Sequence, residues 1–220
     1  MTESTIIDRI RQKEDLEQLV DHIIDNPGEI KVLVNAIETL KGNLRYAAEK
    51  LIRLTSEREP ALLYPHFDFF VSLLDSENSF LKWGAIITLS NLASVDEEDK
   101  FSRIFDKYYS YVRGPNVVSA SNVVGNSWKI ALAKPELSDA IVEKVLALET
   151  AEFVHKDEPS PECRRVVAGN AIESFGKFFD VIRDKERVIA FVERQFDSPR
   201  AAVSKRAAKF LKIYSNRPLS

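Results

Sequence analysis

A short pattern returns along the chain: Leu44-Arg45-x-x-Ala48 is followed 37 residues later by Leu81-Lys82-x-x-Ala85. Arg164-Arg165-x-x-Ala168 and Val203-Ser204-x-x-Ala207 take a similar form, 39 residues apart. Each copy lies in the second of two helix-length blocks whose apolar residues recur at helical spacing. Two such helices cannot cover their own apolar faces, so pairs must stack on pairs, and a small Ala at the shared place lets neighbours approach. Strand-like alternation is nearly absent, and 7 Gly and 9 Pro in 220 residues suit long helices with short turns.

The blocks pair as 29–40 with 43–55, 60–74 with 79–94, 98–112 with 116–133, 136–149 with 161–179, and 185–196 with 199–214. Gly42 and Gly114-Pro115 mark breaks. Pro60 and Pro199 stand at helix starts, where a missing N–H costs nothing. Asn78 or Ser79 is the expected cap of the fourth block, and the acidic run VDEEDK (95–100) favours the start of the next helix. A longer loop, TAEFVHKDEPSP, interrupts the fourth pair. The predicted organisation is one domain over 1–220: a helical cap at 1–28, repeats over 29–214 and a tail at 215–220.

The stretch LLDSENSFLKWGAIITLSNLA (73–93) resembles a HEAT repeat through Leu73, Leu74, Asp75, Leu81, Lys82, Ala85 and Leu89. QFDSPRAAVSKRAAKFL (195–211) resembles it again through Asp197, Val203, Ala207 and Leu211, with Ser204 in place of the usual basic residue. The third repeat has no clear basic residue there. The resemblance implies an all-α, right-handed α-solenoid of about five HEAT-like helix pairs, with second helices lining a concave groove. The tetratricopeptide and ankyrin patterns are missing.

Helical phasing puts Val117, Ala120, Val124, Trp128 and Ala131 on one side of block 116–133, expected in the core. Ser119, Asn122, Asn126 and Lys129 fall opposite. The groove candidates are therefore Thr88, Asn91, Asn122, Asn126, Lys129, Asn170, Glu173, Lys177, Lys205, Lys209 and Lys212, with Glu49 and Arg53 on the equivalent face of the first pair. The competing reading of this stripe is a solvated helix face.

Cys163 stands alone, which rules out an intrachain disulfide and a cysteine-based zinc cage. In PSPECRR, Ser160 reads as an N-cap, which puts Cys163 in a first helical turn beside Arg164 and Arg165, with His155 upstream. That placement suits a reactive thiol; the competing reading is a small buried core residue. His22, His66 and His155 lack metal-ligand spacing, and no P-loop, GxGxxG or GxSxG occurs, so neither metal nor cofactor is expected. The aromatics Tyr108, Tyr109 and Tyr111 read as packing before stacking.

The start MTESTIIDRIRQKEDLEQ lacks an apolar core of signal-peptide type, and no run approaches a membrane span; a cytoplasmic protein is the expectation. Net charge is −3, yet residues 161–220 hold 13 Lys/Arg against 7 Asp/Glu. The first functional expectation is a non-enzymatic scaffold that binds a protein or peptide through its groove or its charged C-terminal half. The alternative is nucleic-acid binding, up to a DNA glycosylase as the HEAT resemblance allows, with Glu173 as the groove acid near the middle. The HEAT-like bilin lyases share only the fold implied.

Overall fold

Pro65 decides the most visible departure from the expected helices. The block 60–74 is not continuous, because Pro65 offers no N–H to a helix ladder. It divides into α5 (Pro60–Leu63), a 3-10 turn at Tyr64–His66 and α6 (Phe67–Leu73). The computed structural model describes residues 5–215, so residues 1–4 of the cap and 216–220 of the tail lie outside the described residues. The packing forms two units, Met1–Phe101 and Ser102–Ser220.

In the first unit the cap is two helices, α1 (Ile6–Arg11) and α2 (Leu16–Asp25), followed by α3 (Glu29–Thr39), α4 (Asn43–Arg58), α5, α6 and α7 (Ser79–Leu92). Thr5 and Asp15 cap α1 and α2, and Asn78 caps α7 by accepting from the N–H groups of Phe80 and Leu81. Gly42 turns α3 into α4 at φ +65°, a conformation that a side chain would resist. α3 packs on α4, α6 on α7, and the second helices α4 and α7 lie side by side. Arg45 of the repeated pattern donates to the carbonyls of Ile37 (2.7 Å) and Glu38 (3.2 Å), closing the open end of α3. The run 95–100 works as expected: the Asp96 carboxylate accepts from the N–H groups of Lys100 and Phe101, both at 2.8 Å, opening α8 (Lys100–Tyr109). The Tyr64 hydroxyl donates to the same carboxylate at 2.6 Å, and burial with that carboxylate pushes the phenol up to about 12.

The second unit holds the rest of α8, then α9 (Val117–Ala133), α10 (Ser138–Leu146), α11 (Pro161–Phe178), α12 (Lys185–Glu193) and α13 (Ala201–Tyr214). Here too second helices pack together, α9 on α11 and α11 on α13. Tyr108, Tyr109, Phe175, Phe178 and Phe179 are core residues. The inserted loop is not irregular throughout. Val154–His155 (β1) pairs antiparallel with Glu158–Pro159 (β2), and Lys156 and Asp157 turn between them at positive φ. Its base is fixed by the buried Phe153, by the Val154 N–H donating to the Pro115 carbonyl, and by Arg164 donating twice to the Ala151 carbonyl. α13 begins at Ala201, two residues beyond the expected Pro199.

Ala48, Ala85, Ala168 and Ala207 are all buried, as is Ala120 in the pair without a clear pattern. All-helical pairs therefore stack in each unit around the small residue that the sequence repeats.

Candidate functional site

The face that the second helices share in the Ser102–Ser220 unit is built from α9 outward. Val118 and Leu132 are exposed on α9, and Asn122, Gly125, Asn126 and Lys129 are half-buried along the same side. Asn126 donates back to the Asn122 carbonyl at 2.8 Å, so its amide is partly committed to its own helix. Ser119 is not on this stripe; it is buried, as is Ser127, whose hydroxyl donates to the Val123 carbonyl. The buried side centres on Val123, Ser127 and Ile130, and short hydroxyls enter it because backbone carbonyls one turn back accept their protons.

Trp128 corrects the phasing most usefully. Expected in the core, it is half-buried at the edge of the buried side, and the ammonium of Lys177 on α11 stands 4.4 Å from its ring centroid. Lys129 lies 5.8 Å from the same ring. The aromatic face and the cation attract each other electrostatically, which holds Trp128 at the α9–α11 seam with one flank open.

Toward α13, Glu173 pairs with Arg206 at 2.7 Å, and the Tyr214 hydroxyl donates to the Gly176 carbonyl at 2.8 Å. Between these helices lies a hollow of about 480 Å³, lined by Ile172, Glu173, Gly176, Lys177, Arg206, Lys209, Phe210, Ile213 and Tyr214. The structure thus brings together the expected Glu173, Lys177 and Lys209 and adds Arg206, Ile213 and Trp128. Asn170 is half-buried upstream on α11. Lys205 and Lys212 are exposed but do not line the hollow.

In the Met1–Phe101 unit two candidates move inward. Thr88 is buried, and Asn91 is buried with its amide donating to the Ser56 hydroxyl at 2.8 Å. Neither is open to a ligand. The reason lies in α7, where WGAIITLSNLA is apolar on nearly every side and is covered accordingly. What the sequence did not disclose here is a partly exposed aromatic row: Tyr46 meets Phe80 at 5.4 Å between centroids, and Phe80 meets the half-buried Trp83 at 5.3 Å. Phe80 is 62% exposed. Both α7 aromatics fall off the Leu81–Ala85–Leu89 line, which was the available signal.

A second hollow, about 710 Å³, lies against α8, α10 and α12. Asp106 pairs there with Lys144 at 2.7 Å, and Glu149 takes both ends of the Arg194 guanidinium at 2.9 and 3.0 Å, so much of its charge is spent internally. Cys163 is a half-buried free thiol in the first turn of α11, whose cap Ser160 accepts from its N–H. Arg164 is turned to Ala151 and Arg165 to Glu162. His155 is exposed on β1. Among the described residues no three His, Cys, Asp or Glu side chains gather as a metal site, and no helix is long and apolar enough to cross a membrane.

No family model matches the sequence, and no curated protein does either. Solved structures do match. A crystal structure of an engineered protein from the Northeast Structural Genomics Consortium superposes with a TM-score of 0.53 at 16% identity, covering 89% of this chain and 82% of that one. A designed armadillo repeat protein superposes with a TM-score of 0.51 at 17% identity, covering 89% of this chain and 85% of the other. The fold is all-α, with helices packed in the repeat pattern of an armadillo or HEAT solenoid, and at these identities the likeness speaks for the fold alone.

Proposed function

We propose that this chain is a polypeptide-binding module that holds a segment of another protein along the α9–α11–α13 face. The observation that carries the reading is the Trp128–Lys177 pair beside the hollow under Ile213. An aromatic plate, a cation and an apolar recess within one face are the parts of a recognition surface, where a few anchored side chains supply most of the binding energy. Repeat folds present broad faces of this kind. The two-helix form of each repeat and the buried alanines favour HEAT-like over armadillo-like units. No catalytic role is part of the reading, and Glu173, exposed and held by Arg206, is poorly placed as a general base.

Photocrosslinking tests it. A photoreactive residue at Asn122 is expected to yield discrete protein adducts in cells, whereas one at exposed Glu136, on the turn before α10, is not. Equal adduct patterns from both positions would overturn the proposal.

The nucleic-acid reading draws on Lys177, Arg206 and Lys209 around one hollow, with Lys129 near the Trp128 ring beside it. It requires oligonucleotide affinity that falls steeply with salt, because phosphate neutralisation releases counterions. A titration at two ionic strengths with a labelled duplex separates it from the first.

A further inference from the structure

Resting on the polypeptide-binding reading, we infer that the partner segment is acidic and carries an aliphatic or aromatic side chain beside its carboxylate. Charge on the α11–α13 part of the face is unbalanced. Glu173, the acid in the hollow, is already committed to Arg206 at 2.7 Å. Lys177 and Lys209 are exposed, line the same hollow, and have no carboxylate partner among the described residues. The Lys177 ammonium stands over the Trp128 ring and, with Glu173 held by Arg206, is left without an ion-pair partner among the described residues. A carboxylate arriving there gains two cations and displaces no existing ion pair.

The recess beside these cations sets the second requirement. Gly176 lines it where other residue types would project a side chain, and Ile213, 42% exposed, forms an apolar wall. A Cβ added at Gly176 would come no closer than 3.7 Å to the Phe210 ring, so the position tolerates a methyl group without displacing the packing behind it. That methyl would instead narrow the recess. The Gly176→Ala variant therefore folds at least as well as the parent, since Ala is the better helix former, while offering an incoming side chain less room.

Selection from a random peptide library displayed on beads tests the inference, using the full chain, the Lys177→Gln/Lys209→Gln variant and Gly176→Ala. The full chain is expected to enrich peptides with Asp or Glu adjacent to Leu, Ile or Phe. The best of these should bind the double variant about tenfold more weakly, the weight of one charge-assisted contact. Against Gly176→Ala the acidic preference should persist while the bulky neighbour is lost. Enriched peptides without acidic residues, or equal affinity for the Gln variant, would overturn the inference and leave the polypeptide-binding reading standing. No enrichment at all would overturn that reading itself. Displacement of selected peptides by oligothymidylate at equal charge concentration would also overturn the inference, because a site for any polyanion has no use for the recess.

Discussion

The Glu49 carboxyl on α4 fills the space that a side chain at Gly84 on α7 would need: a Cβ there would overlap Glu49 Oε1. That oxygen is buried without a hydrogen-bond partner among the described residues, with the Arg53 guanidinium 3.7 Å away. Burial raises the carboxyl to about 7, and Arg53 only partly opposes it. Below the ordinary value of 4.5 both folded and unfolded chains hold the proton, and the stabilising effect is fully present. Between 4.5 and about 7 the unfolded chain releases the proton while the folded one keeps it, so stability falls as pH rises and levels off above about 7. The expected loss is on the order of 3 kcal/mol. Urea denaturation across this range should show it, and Glu49→Gln should remove the slope.

Gly84→Ala probes the same contact from the other side. The new methyl displaces a flexible carboxyl rather than backbone, and Ala gains about 1 kcal/mol of helix propensity. The variant should fold and should lose the pH slope, because the carboxyl is driven toward water. Retention of the slope would mean that the carboxyl had found another buried place.

The Asn91 amide and Ser56 hydroxyl tie α7 to α4, and the Ser56 hydroxyl in turn donates to the Arg53 carbonyl at 2.7 Å. Asn91→Ala leaves the buried Ser56 oxygen without that donor and is expected to cost about 1 to 3 kcal/mol. A lower denaturant midpoint with unchanged slope is the expected result.

What the sequence disclosed, and what it withheld, divides along one physical line. Ala48, Ala85, Ala168 and Ala207 revealed the repeat because close helix packing demands a small residue at one phase, and periodicity carries phase. Asn78, Ser160 and the Asp96 run were legible because caps are local chemistry. Thr88, Asn91 and Trp128 were misread because single-helix phasing does not know how many neighbours a helix has. α7 is covered nearly all round, and Trp128 answers to a lysine almost fifty residues away on α11. The aromatic row of Tyr46, Phe80 and Trp83 joins two helices, so it existed in no single stretch. The break at Tyr64–His66 was available in Pro65, but the apolar run masked it.

Cys163 is half-buried, and both guanidiniums beside it in sequence are engaged elsewhere, Arg164 with Ala151 and Arg165 with Glu162. Its alkylation by iodoacetamide at pH 7 is expected to run no faster than that of a small model thiol. A rate tenfold higher would show that the first turn of α11 activates the sulfur despite those commitments.

Lys177 and Trp128 join α11 to α9, and the strength of that tie can be measured apart from any partner. A cation over an indole at a half-exposed site contributes about 0.5 to 1 kcal/mol. Single variants will not isolate it, since Trp128→Leu also removes contact with Lys129 and changes buried area. A double-mutant cycle with Trp128→Leu and Lys177→Met cancels those separate costs and leaves the pairwise term. Coupling of that size in denaturant titrations is the expected outcome. Because the lysine is exposed and carries no carboxylate partner among the described residues, the coupling should persist in high salt better than an exposed ion pair would. Zero coupling would mean that the ammonium leaves the ring in solution, and the plate that anchors the proposed binding face would then have no fixed geometry.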